Sequence, residues 1–149
     1  MEDVWKPHAT VAAIIERDKR FLIVEEMSAG KTVYNQPAGH LDPGESLITA
    51  AIRETQEETA WQFTPEYISG IYRWDQNATD RCFLRVAFVG TCKNHDKDQS
   101  LDNGIIRAIW LTRDELAKNT DKLRSPMVLR CIDDYLDGKK YPLDLLIDI

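Results

Sequence analysis

A short stretch of the sequence places three glutamates where they could act together. Glu54, Glu57 and Glu58 stand at positions i, i+3 and i+4, so in a helix their side chains project from one face. Neighbouring carboxylates repel one another unless a positive charge lies among them. Because their ligand atoms are all oxygens, the expected counter-charge is a hard divalent cation such as Mg²⁺ or Mn²⁺. A lone pattern of this kind is more often the solvated face of an amphipathic helix, so the surrounding residues must decide.

The element that must carry these carboxylates is a helix predicted from about Ser46 to Thr59. The turn signal Pro43-Gly44 precedes it, and Ser46 is a suitable N-cap. One stripe of the helix collects the residues expected to be buried, namely Ile48, Ala51, Ile52, Thr55 and Thr59. The glutamates fall on a different face, so we expect the helix to bury one side and to present its carboxylates on the other.

Strands and two further helices are predicted around that helix. Apolar and β-branched runs predict strands at 10–15, 21–25, 33–34, 66–74, 82–89 and 105–111. The first two runs, separated by the charged residues 16–20, are expected to pair directly. A capping box at 112–115 opens a short helix, and Ser125-Pro126 precedes a helix over 127–136. This order of elements predicts an α/β fold with a mixed sheet and helices on both faces.

Composition limits the classes of protein to consider. A chain of 149 residues, 43% hydrophobic and 30% charged, predicts one globular domain over residues 1–149. The net charge of −6 without a basic cluster disfavours non-specific binding to nucleic acid or an anionic membrane. No apolar run approaches the ~18–20 residues that span a bilayer, and the N-terminus lacks a signal-peptide pattern. Three cysteines without close spacing predict a reducing, cytoplasmic location. Both a monomer and a small homo-oligomer stay open.

The glutamates belong to a longer pattern. Residues 39–61 contain G-x5-E-x7-R-E-x2-E-E, which resembles the Nudix box, G-x5-E-x7-R-E-U-x-E-E-x-G-U, where U is a bulky apolar residue. Two positions depart from it: Thr55 stands where U is expected, and Ala60 where the family has glycine. Thr55 brings a hydroxyl that needs a partner. Ala60 matters if the helix ends in a left-handed residue, because a Cβ there costs roughly 1–2 kcal/mol.

The resemblance implies a Nudix hydrolase, which cleaves nucleoside diphosphates linked to another moiety and uses Mg²⁺ or Mn²⁺. It implies an α/β/α sandwich in which the box forms a loop–helix–loop. Glu57 and Glu58 are then metal ligands, and Glu54 is a ligand, the general base, or both. The family varies in which glutamate is the base, so Glu54 and Glu58 both stay candidates, with Glu54 placed first. The backbone carbonyl of Ala38 is a further candidate ligand. The implied partner is a small nucleotide or pyrophosphate substrate.

The remaining box residues are expected to hold this arrangement in place. Arg53 lies four residues before Glu57, so it can pair with that carboxylate and orient it for catalysis. By resemblance, Gly39 and Glu45 shape and hold the loop.

Further candidates lie outside the box. Nudix proteins often place one more acidic ligand in a loop near a strand end, and Asp102 is that candidate, with Asp98 as its rival. His40 adjoins the loop glycine and could touch phosphate, although a loop histidine is more often simply on the surface. Arg85 could face the cleft from its strand. Arg124 stands before a helix N-terminus, a position suited to an anion. For both arginines the alternative is a surface ion pair.

Segments outside the box narrow the resemblance. Four of them are similar to the bacterial NudJ-type phosphatases: WKPHATVA, YNQPAGHLDPGESL, LRSP and KKYPLDLL. That subfamily is associated with removing terminal phosphate from nucleoside tri- and diphosphates. It is also associated with hydrolysis of the hydroxymethylpyrimidine pyrophosphate of thiamine biosynthesis. Two alternatives stay open: a pyrophosphohydrolase that cuts nucleoside triphosphates between the α and β phosphates, and a non-catalytic nucleotide sensor. The intact carboxylate cluster argues against the sensor.

Overall fold

The structure, a computed structural model, describes residues 3–77 and 79–149. Within them the chain forms the strands β1 (His8–Ile14), β2 (Glu16–Arg17), β3 (Arg20–Ser28), β4 (Lys31–Asn35), β5 (Ala38–His40), β6 (Gln62–Gln76), β7 (Arg81–Lys93) and β8 (Ile105–Thr112). It also forms the helices α1 (Leu47–Thr59), α2 (Arg113–Ala117) and α3 (Met127–Leu136).

Two sheets build the centre of the protein. The first is mixed, because β1 runs antiparallel to β5 and parallel to β7, and β6 then pairs antiparallel with β7. The second is antiparallel and is built around β3, which pairs with β2, β4 and β8. The predicted mixed sheet is therefore confirmed, and a second sheet accompanies it.

The first two apolar runs share a single backbone hydrogen bond, from the Leu22 N–H to the Ile15 carbonyl at 3.0 Å. The prediction that they pair as neighbouring strands is wrong. β1 belongs to the mixed sheet and β3 to the antiparallel one, so the chain crosses between the sheets at the buried Ile15. The hairpin partner of β3 is the two-residue β2. Asp18 and Lys19 join them with φ angles of 52° and 63°, and positive φ at both central residues suits a tight hairpin turn.

Helices cover both faces of the sheets. Side chains alternate along a strand, so β1 sends Val11 to one side and Ile14 to the other. Val11 belongs to a core cluster with Ala51 of α1, whereas Ile14 belongs to a second cluster with Leu116 of α2 and Ile132 of α3. Burial on both faces explains why these strands read as continuous apolar runs. The layers are helix, sheet and helix, as the family resemblance implies.

The helix α1 begins and ends as its local sequence dictates. The Ser46 side chain accepts a hydrogen bond from the backbone N–H of Thr49 at 3.0 Å, which satisfies one of the free donors of the first turn. At the other end Ala60 adopts the left-handed conformation with φ of 62°, and its N–H donates to the carbonyl of Gln56. The predicted range from Ser46 to Thr59 is confirmed to within one residue.

Candidate active site

Three carboxylates converge at the exposed side of α1. Oxygens of Glu54, Glu57 and Asp102 all lie within 4.8 Å of one another. Asp102 reaches this position because its backbone N–H donates to the carbonyl of Glu57 at 2.9 Å and its own carbonyl accepts from Ile105 at 3.0 Å. The loop before β8 is thereby fastened to the helix. The structure thus brings Asp102 to the box glutamates, whereas its rival Asp98 is exposed and bonds within its own loop.

Glu58 takes a different position from the other two box glutamates. Glu58 is only 7% exposed, and its Oε1 accepts a hydrogen bond from the backbone N–H of Ala38 at 2.9 Å. Burial raises the pKa of Glu58 to about 9, with the negative charges of Glu26, Glu54 and Asp102 adding to the rise. The expectation that all the box carboxylates lie on an exposed face is therefore wrong for Glu58, because β5 covers it. It is also wrong for Glu54, whose side chain is only 12% exposed.

The backbone of β5 offers its free edge to this region. Pro37 and Leu41 are bonded to β1 through their backbone groups, and in an antiparallel pair every second residue points its N–H and C=O away from the partner. Ala38 and His40 are those residues. The N–H of Ala38 accordingly donates to Glu58, and the carbonyl of Ala38 points away from β1 along the same edge.

Arg53 ties the helix to the preceding loop. Its Nε donates to Glu45 Oε2 at 2.9 Å and its Nη2 to Glu45 Oε1 at 2.7 Å, which is the bidentate geometry that strengthens such pairs. Glu45 also accepts from the backbone N–H of Asp42 at 2.7 Å, and Arg53 Nη2 donates to the carbonyl of His40 at 3.1 Å. This pairing lowers the pKa of Glu45, with the hydrogen bond from Arg53 as the largest cause.

The other side of the same guanidinium faces the carboxylate cluster. Arg53 Nη1 lies 2.8 Å from Glu54 Oε1 and 3.2 Å from Glu57 Oε2. The expected pair with Glu57 is present, and the contact with Glu54 is shorter. Burial raises the pKa of Glu54, Arg53 counteracts this, and the charges of Glu57 and Asp102 raise it further. Arg53 thus offsets part of the repulsion and orients two of the clustered carboxylates.

Gly39 leaves room for the Glu54 side chain. A Cβ at this position would lie 2.1 Å from Glu54 Cδ and 2.2 Å and 2.4 Å from its two carboxylate oxygens. The φ angle of Gly39 is not positive, so close approach of the carboxylate is the reason for glycine here.

The cluster fits a divalent metal ion. Its donors are carboxylate oxygens, which suit hard cations. Their mutual repulsion is only partly relieved by Arg53. Glu54, Glu57 and Asp102 can hold such an ion, whereas Glu58 is not part of this group and its Oε1 accepts from the Ala38 N–H.

The three substrate-binding candidates all line one cleft of about 140 Å³, which begins at Ala38 and Gly39. His40 stands at its rim, with Nε2 at 3.1 Å from Nδ1 of His8. Its pKa is lowered, chiefly by partial burial of the ring and then by the neighbouring His8 and Arg124.

The two arginines of the cleft differ in exposure, because Arg85 is buried and Arg124 is partly exposed. Arg85 is 3% exposed and donates to Gln36 Oε1 at 2.8 Å and to Asn35 Oδ1 at 3.1 Å, so it is not in a surface ion pair. Arg124 does form an ion pair, with its Nη1 at 2.6 Å from Glu26 Oε1.

Glu26 is a site residue that the sequence reasoning missed. It lines the cleft, is nearly buried and pairs with Arg124, and it contributes to the raised pKa of Glu58. A register shift in the β3–β8 ladder falls between Glu25 and Glu26. The available signal was an acidic pair at the end of an otherwise apolar strand.

Comparison with known proteins decides the family. A sequence model of the NUDIX domain matches residues 6–131. The chain belongs to the Nudix hydrolase family. The phosphatase NudJ of Shigella boydii serotype 4 (strain Sb227) is 38% identical over 146 residues, which cover 97% of this Nudix hydrolase and 94% of the relative. The phosphatase NudJ of Escherichia coli (strain K12) is 37% identical over the same shares. A solved NUDIX hydrolase from Nitrosomonas europaea has a TM-score of 0.94 and 47% identity, covering 97% and 98% of the two chains.

These similarities confirm the resemblance to NudJ-type Nudix hydrolases over nearly the whole chain. Nudix hydrolases act on small pyrophosphate-containing compounds and generally use a divalent metal ion, so the carboxylate cluster agrees with the family. Among the described residues, no helix is long and apolar enough to cross a membrane.

The two departures from the box pattern fall on packing. The Thr55 hydroxyl is buried and donates to the carbonyl of Ala51 at 2.8 Å, so its extra polar group is satisfied. Ala60 holds the left-handed conformation that a glycine would adopt without strain. Neither residue contacts the clustered carboxylates through a hydrogen bond in the described chain.

Proposed function

We propose that this Nudix hydrolase is a Mg²⁺- or Mn²⁺-dependent phosphohydrolase that releases phosphate from nucleoside tri- and diphosphates. The observation that supports it most is the group of Glu54, Glu57 and Asp102 oxygens within 4.8 Å, next to a cleft that begins at Gly39. The NudJ phosphatases are its relatives by sequence. The hydroxymethylpyrimidine pyrophosphate of thiamine biosynthesis is the second substrate class in this proposal.

Glu54, Glu57 and Asp102 are the proposed protein ligands of the metal ion, with Glu58 and the carbonyl of Ala38 as further ligands. A bound Mg²⁺ or Mn²⁺ supplies charge neutralisation for the phosphates and Lewis acidity at the phosphoryl oxygen. The choice of ion follows from the all-oxygen donor set.

A general base must accept the proton of the attacking water. Glu54 is the first candidate, because Arg53 fixes its Oε1 at 2.8 Å and burial raises its pKa toward a value useful for proton transfer. Glu58 is the second candidate, since its Oε1 is occupied by the Ala38 N–H and burial raises its pKa to about 9. Arg53 acts by orienting Glu54 and Glu57.

His40, Arg85 and Arg124 are the proposed substrate contacts, because all three line the cleft. Gly39 and Glu45 are proposed to be structural: the first admits the Glu54 carboxylate and the second anchors Arg53. A single domain over residues 1–149, a cytoplasmic location and a monomer or small homo-oligomer complete the proposal. The three free cysteines are all buried, which is compatible with a reducing compartment.

The test is product analysis across a substrate panel. Nucleoside tri- and diphosphates and hydroxymethylpyrimidine pyrophosphate are incubated with Mg²⁺, Mn²⁺ or a chelator. Inorganic phosphate is then measured with and without added pyrophosphatase. The proposal expects metal-dependent phosphate that does not increase when pyrophosphatase is added. Phosphate that appears only with pyrophosphatase would instead establish cleavage between the α and β phosphates. No turnover of any member with either metal would support the sensor.

A further inference from the structure

The cleft contains a buried positive charge that the protein itself does not neutralise. Arg85 is only 3% exposed. Within residues 3–77 and 79–149 it forms no ion pair with a carboxylate. Its two Nη atoms donate to the neutral amide oxygens of Gln36 and Asn35, and its buried Nε has no hydrogen-bond partner in the described chain. A buried charge normally has a partner of opposite sign, because desolvation is costly.

The surrounding chain holds this guanidinium in place. Arg85 lies on β7 opposite Thr10 of β1 and Tyr72 of β6, so its backbone is in the middle of the mixed sheet. Gln36 Nε2 donates to the carbonyl of Val128 at 2.7 Å, which turns its Oε1 toward Arg85. The charge is therefore positioned by both the sheet and α3.

Two further positive features line the same cleft. Ser125 and Met127, at the start of the ten-residue helix α3, are both part of its lining. A helix N-terminus carries a partial positive charge, and here the Met127 N–H also donates to Ser125 Oγ at 3.1 Å. Arg124 lines it as well, and its Nη1 pairs at 2.6 Å with Oε1 of Glu26, which also lines the cleft. Gly39 also lines the cleft, and it abuts the Glu54 carboxylate of the cluster.

The size of the cleft limits what can enter it. Its volume is about 140 Å³, below the roughly 300–1,000 Å³ of pockets that enclose drug-sized ligands. A group the size of one phosphate fits the cleft, whereas a nucleoside would extend beyond it. An adjoining cavity of about 530 Å³ shares Trp74, Arg124 and Ser125 with the cleft.

We propose that Arg85, Arg124 and the N-terminus of α3 form the subsite for the terminal phosphate of the substrate. The substrate enters phosphate first, the adjoining phosphates lie at the carboxylate cluster, and the nucleoside or pyrimidine stays at the mouth. This arrangement places the bond next to the terminal phosphate at the cluster and accounts for release of phosphate. The inference rests on the proposed function for its substrate and bond, whereas anion binding by the subsite does not depend on metal or turnover.

The first test measures inorganic phosphate binding in the presence of a chelator, by ³¹P line broadening and by thermal stabilisation. Wild-type protein is expected to bind phosphate, and Arg85→Met to bind it roughly 30- to 5,000-fold more weakly, the range for removing one partner of a buried charge pair. Arg107→Met is the matched control, because Arg107 is an exposed arginine on β8 paired with Glu25. Equal phosphate binding by wild type and Arg85→Met overturns the subsite.

A second variant guards against a folding defect in Arg85→Met. Asn35→Asp keeps the guanidinium and places a carboxylate where the amide oxygen now lies 3.1 Å from Nη2. Internal neutralisation is expected to weaken phosphate binding at least about tenfold at an unchanged arginine. Phosphate binding as tight as in wild type would contradict a role for the unneutralised charge.

The third test distinguishes the phosphate end from the base end of the substrate. Arg85→Met is expected to lower kcat/KM for a nucleoside triphosphate and for inorganic tripolyphosphate by the same factor, because both carry a free terminal phosphate. A variant that loses activity on the nucleotide and keeps it on tripolyphosphate would show that Arg85 contacts the heterocycle, which overturns the proposal. Failure of the wild type to hydrolyse either compound would remove the proposed function, and the chelator experiment would still decide the anion subsite.

Discussion

Gly39→Ala tests whether the position of the Glu54 carboxylate controls turnover. The added Cβ would lie 2.1–2.4 Å from the carboxylate atoms, whereas ordinary van der Waals contact begins near 3.4 Å. The carboxylate must therefore move by more than about 1 Å, and a misplacement of ~1 Å at a reacting centre can cost ~10²-fold. Glu54 has little room to move without loss, because its side chain is 12% exposed and held by Arg53 at 2.8 Å. We expect kcat/KM to fall about 100-fold.

The backbone at Gly39 permits this substitution, since its φ angle is not in the left-handed region. Gly44→Ala is the matched control: Gly44 has φ of 82° and open space around its missing Cβ. That control should lose stability by roughly 1–2 kcal/mol and keep its turnover at saturating Mg²⁺. The assay is phosphate release together with a thermal melt of each variant. A folded Gly39→Ala protein with wild-type turnover would refute the role assigned to the Glu54 position.

Three further predictions concern other parts of the site. Asp102→Asn should raise the Mg²⁺ concentration needed for half-maximal turnover by at least roughly 10–100-fold, the effect known for groups that support metal ligands. The control Asp98→Asn should leave that concentration unchanged. Equal behaviour of the two variants would remove Asp102 from the ligand set. Ala60→Gly should relieve roughly 1–2 kcal/mol of left-handed strain and lose about 0.8 kcal/mol for one buried methyl. The free energy of unfolding, measured in urea, should therefore rise by up to ~1 kcal/mol. A clear loss of stability would contradict strain at this C-cap. Burial raises the pKa of Glu58 in the metal-free folded protein to about 9, from an ordinary value of 4.5. Between those pH values the folded protein holds a proton that the unfolded chain has lost. The free energy of unfolding in chelator should therefore fall by up to about 1.4 kcal/mol per pH unit as pH rises. Glu58→Gln should remove that slope in urea melts at pH 6 and pH 8, and an identical slope in both proteins would contradict the assignment.

The sequence predicted the elements whose signals are local. The bounds of α1 depend on Ser46 as N-cap and on an apolar stripe within the helix, and the structure confirms both. The capping box at Thr112 likewise opens α2, with its side chain accepting from Glu115 N–H. Family resemblance supplied the layering of helices and sheets, which the order of elements alone did not select.

Features that depend on distant partners were not predictable in the same way. β1 and β3 lie in different sheets because β7 and β8, far along the chain, supply their long partners. Glu58 is buried because β5 covers it, and helical periodicity describes a helix's own faces and not what packs on them. Arg85 is buried at the cleft and donates to the side-chain amide oxygens of residues 35 and 36, which strand alternation cannot indicate.

The most direct measurement of the central claim is Mn²⁺ binding, followed by electron paramagnetic resonance, alongside metal-dependent phosphate release. Wild-type protein should bind Mn²⁺, and Glu57→Gln should weaken binding at least about tenfold and abolish turnover while its melt remains cooperative. Glu66→Gln, at an exposed glutamate of β6, should match wild type in both assays. A folded Glu57→Gln protein that binds Mn²⁺ and releases phosphate as wild type does would contradict the claim that these carboxylates hold the catalytic metal.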